Sequence, residues 1–123
     1  MPRDFRKIIA WQKADDLAYD VYLATNQFFP KEEQFGLTSQ IRRAVVSVAA
    51  NIAEGFGRPT TADFLRFLGY SQGSLSEVEY YLHLARRLEY FSDEVYQNLE
   101  AKRAETGRTL TGFVRAVRKQ GKS

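Results

Sequence analysis

The segment from Gln40 to Pro59, QIRRAVVSVAANIAEGFGRP, limits what this chain can fold into more than any other. At about 3.6 residues per turn it reads as one helix with an inverted cross-section. Gln40, Arg43, Ser47, Asn51, Glu54 and Arg58 fall in one narrow polar stripe. Leu37, Ile41, Ala44, Val45, Val48, Ile52 and Phe56 fill the flank beside it, and Val46, Ala49, Ala50 and Ala53 take most of the remainder. A surface helix normally carries one apolar stripe and a broad polar face. This helix should therefore be covered on two sides. In a chain of 123 residues the second cover is expected to be other copies of the same protein. Val46, Ala49, Ala50 and Ala53 are the expected interface residues, joined by Tyr70 and Tyr81 from the next helix.

The length suits one domain spanning residues 1–123, and the apolar fraction allows a real core. The chain has no Cys, which removes disulfides, thiolate nucleophiles and thiolate metal sites together. MPRDFRKIIAWQKADD carries acids early and has no long apolar run, so it does not read as a secretory signal. No segment approaches the roughly 18 apolar residues of a membrane span. A cytoplasmic protein with no membrane partner is the expectation. The net charge is +3, but it is unevenly placed. Lys102, Arg103, Arg108, Arg115, Arg118, Lys119 and Lys122 face a single acid, Glu105, after residue 100. That asymmetry points to a polyanionic partner. The plain alternative is a solvated helix face with a basic end, which the helix dipole favours.

Four helical patterns, at about 5–28, 37–56, 61–90 and 93–119, account for nearly all of the chain. Asp4 suits the N-cap of the first, and Ile8, Trp11, Ala14, Leu17, Ala18, Val21 and Phe28 recur at helical spacing. Pro30 stops it. Gly57 suits a left-handed cap after the second helix, and Pro59 enforces the stop. Thr60 and Asp63 form a variant capping box for the third. Its core stripe is Phe64, Leu68, Ser71, Leu75, Val78, Leu82 and Ala85, with Tyr70, Tyr81, Leu84 and Leu88 on another flank. Gly69 and Gly73 inside that helix each cost about 1 kcal/mol relative to Ala, so they are expected to admit a close neighbour or a bend. Ser92 caps the fourth helix, whose apolar positions are Val95, Leu99, Thr106, Leu110, Phe113 and Val117. Residues from Gly121 onward are expected to fray. Short connectors predict an all-α, antiparallel up-down-up-down four-helix bundle.

A set of residues in fixed order carries a family likeness. It runs from Trp11, Lys13 and Ala14 through Phe29-Pro30, Phe35-Gly36-Leu37, Gln40 and Arg42-Arg43-Ala44. Its densest part is Asn51-Ile52-Ala53-Glu54-Gly55 with Gly57-Arg58. It continues in Phe64-Leu65-Arg66-Phe67-Leu68, Gly73-Ser74 and Glu77. In these residues the chain resembles the four-helix bundle proteins encoded in intervening sequences of bacterial 23S ribosomal RNA genes, also labelled S23 ribosomal proteins. The resemblance implies a homopentameric ring. It also implies a relation to the pentameric accessory protein of diversity-generating retroelements, a nucleic-acid-binding partner of a reverse transcriptase. No enzymatic reaction comes with it.

The remaining constellations offer little chemistry. His83 lies in line with Gln72, Ser76, Glu79, Arg87 and Tyr90 and lacks a nucleophile, a second ligand or an orienting group, so an exposed histidine is expected. Glu77 falls beside the core stripe, and an ion pair with Arg42, Arg43 or Arg66 is expected for it. The polar stripe reads as a hydrogen-bonded seam between subunits; the competing reading is a channel lining that touches phosphate. Tyr70, Tyr80, Tyr81, Tyr90 and Phe91 are able to stack bases, but an interface is the expected use. Arg108, Arg115, Lys119 and Lys122, with Arg118 nearby, form the candidate nucleic-acid-binding surface, weakly sequence-specific and salt-dependent. Two functions follow: a non-enzymatic oligomeric bundle that binds RNA or DNA through basic surfaces, or a protein–protein scaffold without nucleic-acid contact. No catalytic set, metal site or cofactor site is expected.

Overall fold

Asp4 does not open the first α-helix. The computed structural model describes residues 4–121, and in it Asp4 caps a single 3-10 turn, Phe5–Lys7, by accepting from the Arg6 amide. Ile8 is then extended, and α1 runs Ile9–Phe28. The sequence pattern started this helix four residues early because Ile8 is in phase with the core and buried although its backbone is not helical. A second 3-10 turn, Lys31–Glu33, leads into α2, Leu37–Phe56; α3 is Thr61–Arg87 and α4 is Asp93–Gly121. Among the described residues there is no strand.

The helix ends explain the other boundary differences. The Glu33 side chain folds over the start of α2 and accepts from the Leu37 amide at 3.0 Å. A Cβ on Gly36 would sit 2.5 Å from that carboxylate oxygen, so glycine makes room for the cap. Gly57 is right-handed rather than left-handed: its amide and that of Arg58 bond three residues back and tighten α2 into a turn. Thr60 accepts from the Asp63 amide as expected of an N-cap. Helix α3 stops at Arg87 because Glu89 adopts φ 62° and the Tyr90 amide bonds the Ala85 carbonyl. This is a Schellman closure with Glu in the place usually held by Gly. Gly121 is still helical, because α4 extends along the start of α3, where a Gly121 Cβ would meet Thr61 at 2.6 Å.

Cross-helix contacts give the arrangement. Gly55 lies against Phe64 and Phe67, and Ser47 against Ser74. Gly107 lies against Leu75, and Arg86 reaches Asp93. Lys13 pairs with Glu105 and Lys102 with Asp20. Every such pair runs in opposite chain directions, so neighbouring helices are antiparallel and α1 closes onto α4. The expected apolar stripes meet along the axis, with Leu17, Ile41, Ile52, Leu68, Leu82 and Leu110 fully buried. Each such side chain contributes about 1.5–3 kcal/mol. Phe29 with Tyr90 and Phe91 plugs one end, and Phe56, Phe64 and Phe113 plug the other. Tyr90 and Phe91 are therefore packed within the bundle, not available to stack bases.

The buried hydroxyls are all bonded. Ser71 donates to the Val48 carbonyl at 2.8 Å and locks α3 to α2. Thr106 donates to the Lys102 carbonyl, and Thr25 accepts from Arg42. No helix among the described residues is long and apolar enough to cross a membrane.

Candidate functional site

The fold sorts the expected functional residues into an apolar face on α2 and α3 and a basic face on α4. On α2, Val46 is 44% exposed and Ala50 is exposed, while Ala49 and Ala53 are half-buried. On α3, Tyr70 is 49% exposed and Tyr81 half-buried against the core. Gly69 and Gly73 lie on the exposed side of α3, where an added Cβ would meet nothing within 4 Å. No neighbour within the chain approaches them, contrary to one use expected for mid-helix glycines. Phe35, at the tip of the α1–α2 connector, is 89% exposed. Sequence reasoning missed it as a surface feature because a lone Phe in a connector carries no periodic signal.

The polar stripe of α2 divides. Asn51 donates to the Ser47 carbonyl and hydroxyl, each at 2.8 Å, and Ser74 of α3 donates to Ser47 at 2.9 Å. That part is a seam between two helices of one chain. Glu54 and Arg58 pair with each other at 2.6 Å, and Arg58 lies over the Phe67 ring at 4.7 Å. Arg66 covers the same ring at 5.0 Å, so Phe67 is bracketed by two guanidinium groups. Gln40 and Arg43 are exposed.

Glu77 is exposed and forms no ion pair among the described residues. Of the arginines expected to meet it, Arg43 borders the same small recess without forming an ion pair, and the other two are directed elsewhere. Arg42 bonds Thr25 and stacks on Tyr22, and Arg66 bonds Asp63 and Tyr70. His83 is exposed, and Glu79, one turn before it, pairs with Arg103 at 3.3 Å. Among the described residues no group of three or more His, Asp or Glu could hold a metal ion.

Charge is distributed unequally in three dimensions as well as along the chain. Arg6, Lys13, Arg58, Arg66, Arg86, Lys102 and Arg103 all form ion pairs. Arg103 is the least exposed of these; its bond to Glu100 raises its pKa above the ordinary guanidinium value. The bond from Lys13 likewise holds Glu105 below the usual carboxylate value. Lys7, Lys31, Arg43 and Arg87 are exposed and form no ion pair among the described residues, and beyond Arg103 no described cation forms one. Arg108, Arg115, Arg118 and Lys119 are exposed on α4, and none makes an ion pair or hydrogen bond among the described residues. Lys122 lies outside the described residues.

Comparisons with known proteins bear on this arrangement. A family model described as 23S rRNA-intervening sequence protein matches residues 6–112. A crystal structure from Bacteroides thetaiotaomicron VPI-5482 is similar, with 26% identity and a TM-score of 0.79. The match covers 85% of this chain and 97% of that one, which is described as a protein of unknown function from the S23 ribosomal protein family. No curated protein matches.

Proposed function

The chain belongs to the 23S rRNA-intervening sequence protein family, and from that premise we propose that it is a non-enzymatic, oligomeric helical bundle that binds RNA through the basic face of α4. The observation that carries this reading is that Arg108, Arg115, Arg118 and Lys119 lie exposed on one stretch of α4 and none forms an ion pair among the described residues, whereas seven of the twelve described cations before them do. Glu105 is close enough for Arg108 to help lower its pKa, but one carboxylate does not balance four exposed cations, and the excess raises the local potential and attracts phosphate. Neutralising phosphates releases counterions, so affinity is governed by salt and only weakly by sequence.

The assembly part of the proposal is supported by the exposed Val46, Ala50 and Tyr70. Copies packed in a ring through this face would cover the apolar side of α2 and leave α4 outward, turning one basic stripe into a belt. Phe35 would serve as a knob on the same assembly, because a ring interface joins two unlike patches.

Fluorescence anisotropy with labelled generic RNA tests the binding. Wild-type protein is expected to bind at about 50 mM salt and to lose affinity steeply by about 200 mM. Combined Arg115→Glu, Arg118→Glu and Lys119→Glu should abolish it. No binding at low salt rejects the reading and favours a protein–protein scaffold. Light scattering tests the assembly: Ala50→Arg should yield a smaller species with unchanged helix content, and a wild-type monomer at micromolar concentration rejects the ring.

A further inference from the structure

A recess of about 630 Å³ lies between α3 and α4. That volume is in the range of sites holding molecules of small-ligand size, about 300–1,000 Å³. Its α4 wall carries Arg108, Thr111 and Arg115, and its α3 wall carries Gln72 and Ser76. Two glycines shape it. At Gly107 an added Cβ would come within 3.4 Å of Leu75, so the helices close together there. At Gly112 an added Cβ would meet nothing within 4 Å, so the recess is open and part of its wall is bare backbone.

The two walls differ in chemistry. Positions 108, 111 and 115 are spaced i, i+3 and i+7, one line along a helix, and the two arginines are separated by a rise of about 10 Å. Both are free of ion pairs among the described residues, and Thr111 places a hydroxyl between them. Arg103, which also borders the recess, is neutralised by Glu100 and Glu79 and closes one end. The opposite wall is uncharged but hydrogen-bonding. Gln72 offers an amide, and Ser76 donates to the Gln72 carbonyl at 3.3 Å, which leaves its oxygen free to accept. One wall thus suits phosphates and the other suits base edges. A duplex turns its base edges inward and presents convex ridges of phosphate, whereas a single strand offers backbone on one side and bases on the other.

We infer that this groove holds a single-stranded RNA segment, with its phosphates on Arg108 and Arg115 and its bases toward Gln72 and Ser76. The inference rests on the RNA-binding reading above and adds the location and the strand form. It separates the groove arginines from Arg118 and Lys119, which do not line the recess.

Anisotropy with a labelled oligouridine strand and with an RNA duplex of the same length tests it. Thr111→Trp fills the recess without changing charge, and Ser76→Phe fills it from the opposite wall; circular dichroism verifies that each is folded. Each should weaken the single strand by about tenfold, the loss of one good polar contact, and leave the duplex within about twofold. Combined Arg108→Gln and Arg115→Gln should lower the log–log salt slope for the single strand by about 1.4, two phosphates at about 0.7 each. Oligouridine affinity that survives both filled variants overturns the groove while the broader RNA reading stands. Wild-type protein that binds neither probe overturns both. Polyglutamate that binds with the same sensitivity to Thr111→Trp assigns the groove to an acidic protein segment and also overturns the inference.

Discussion

Gly55→Ala should destabilise the protein even though alanine is the better helix former. Gly55 is buried near the end of α2, where α3 crosses at close range. A Cβ there would lie 2.7 Å from Phe67 Cβ, 3.0 Å from Phe64 Cδ1 and 3.2 Å from the Phe64 carbonyl oxygen. Phe67 Cβ and the Phe64 carbonyl move only with the α3 backbone, so rotamer changes cannot relieve the clash. The helices must separate by a few tenths of an ångström. Overpacking of this kind costs about 1–3 kcal/mol. Separation also stretches the Ser71–Val48 and Ser74–Ser47 bonds, at 2.8 and 2.9 Å, each contributing about 1 kcal/mol. Replacing Gly returns at most about 1 kcal/mol of helix propensity. The expected net loss is about 1–2 kcal/mol. Urea unfolding followed by circular dichroism, at one fixed protomer concentration, should show a lower midpoint with an unchanged m value. Gly112→Ala is the control, since it meets no neighbour within 4 Å and should gain up to about 1 kcal/mol. A Gly55→Ala protein as stable as wild type would refute the close-packing argument.

Tyr70→Ala should shift assembly to higher concentration in sedimentation with unchanged helix content, since Tyr70 is 49% exposed; unchanged assembly removes this flank of α3 from the interface. Glu33 has its pKa lowered below 4.5 by the Leu37 amide first and the Tyr90 hydroxyl second. Its contribution is therefore complete above that value and lost as pH falls through the lower folded-state value. Tyr90 is raised above 10.0 by the same bond, so its contribution is complete below that value and lost as pH rises through the higher one. Glu33→Gln should flatten the acid side of a stability–pH curve and Tyr90→Phe the alkaline side; unchanged curves would count against the bond. Glu89→Gly should raise stability by about 0.5–1 kcal/mol in thermal unfolding, because glycine adopts φ 62° without the side-chain penalty. A decrease would show that Glu89 has a compensating role.

The core was legible in the sequence because helical periodicity states which residues face inward regardless of partner. Ile41, Val45, Val48 and Ile52, and Leu68, Leu75, Val78 and Leu82, are all buried as their spacing requires. Helix ends were less legible. The α3 stop depends on a left-handed Glu, which leaves no glycine to read, and the α2 stop uses Gly57 without the left-handed turn that glycine usually signals. Contacts across helices were not legible at all. Lys13 meets Glu105 and Lys102 meets Asp20 over more than eighty residues of chain, and no local rule links them. The basic tail was visible as composition. That Lys102 and Arg103 are neutralised while Arg108, Arg115, Arg118 and Lys119 are not required the assembled bundle. The same holds for the polar stripe of α2, whose middle turns out to serve its own neighbouring helix.

The separation of satisfied from unsatisfied cations gives ionic strength two unequal effects. Raising it weakens exposed ion pairs by little, since each contributes only about 0–1 kcal/mol and the apolar interior is indifferent to screening. The same change removes much of the drive for phosphate to displace counterions. If the RNA-binding proposal holds, a concentrated salt wash of immobilised, intact protein elutes polynucleotide visible in the ultraviolet spectrum of the eluate, and an eluate without it counts against the proposal.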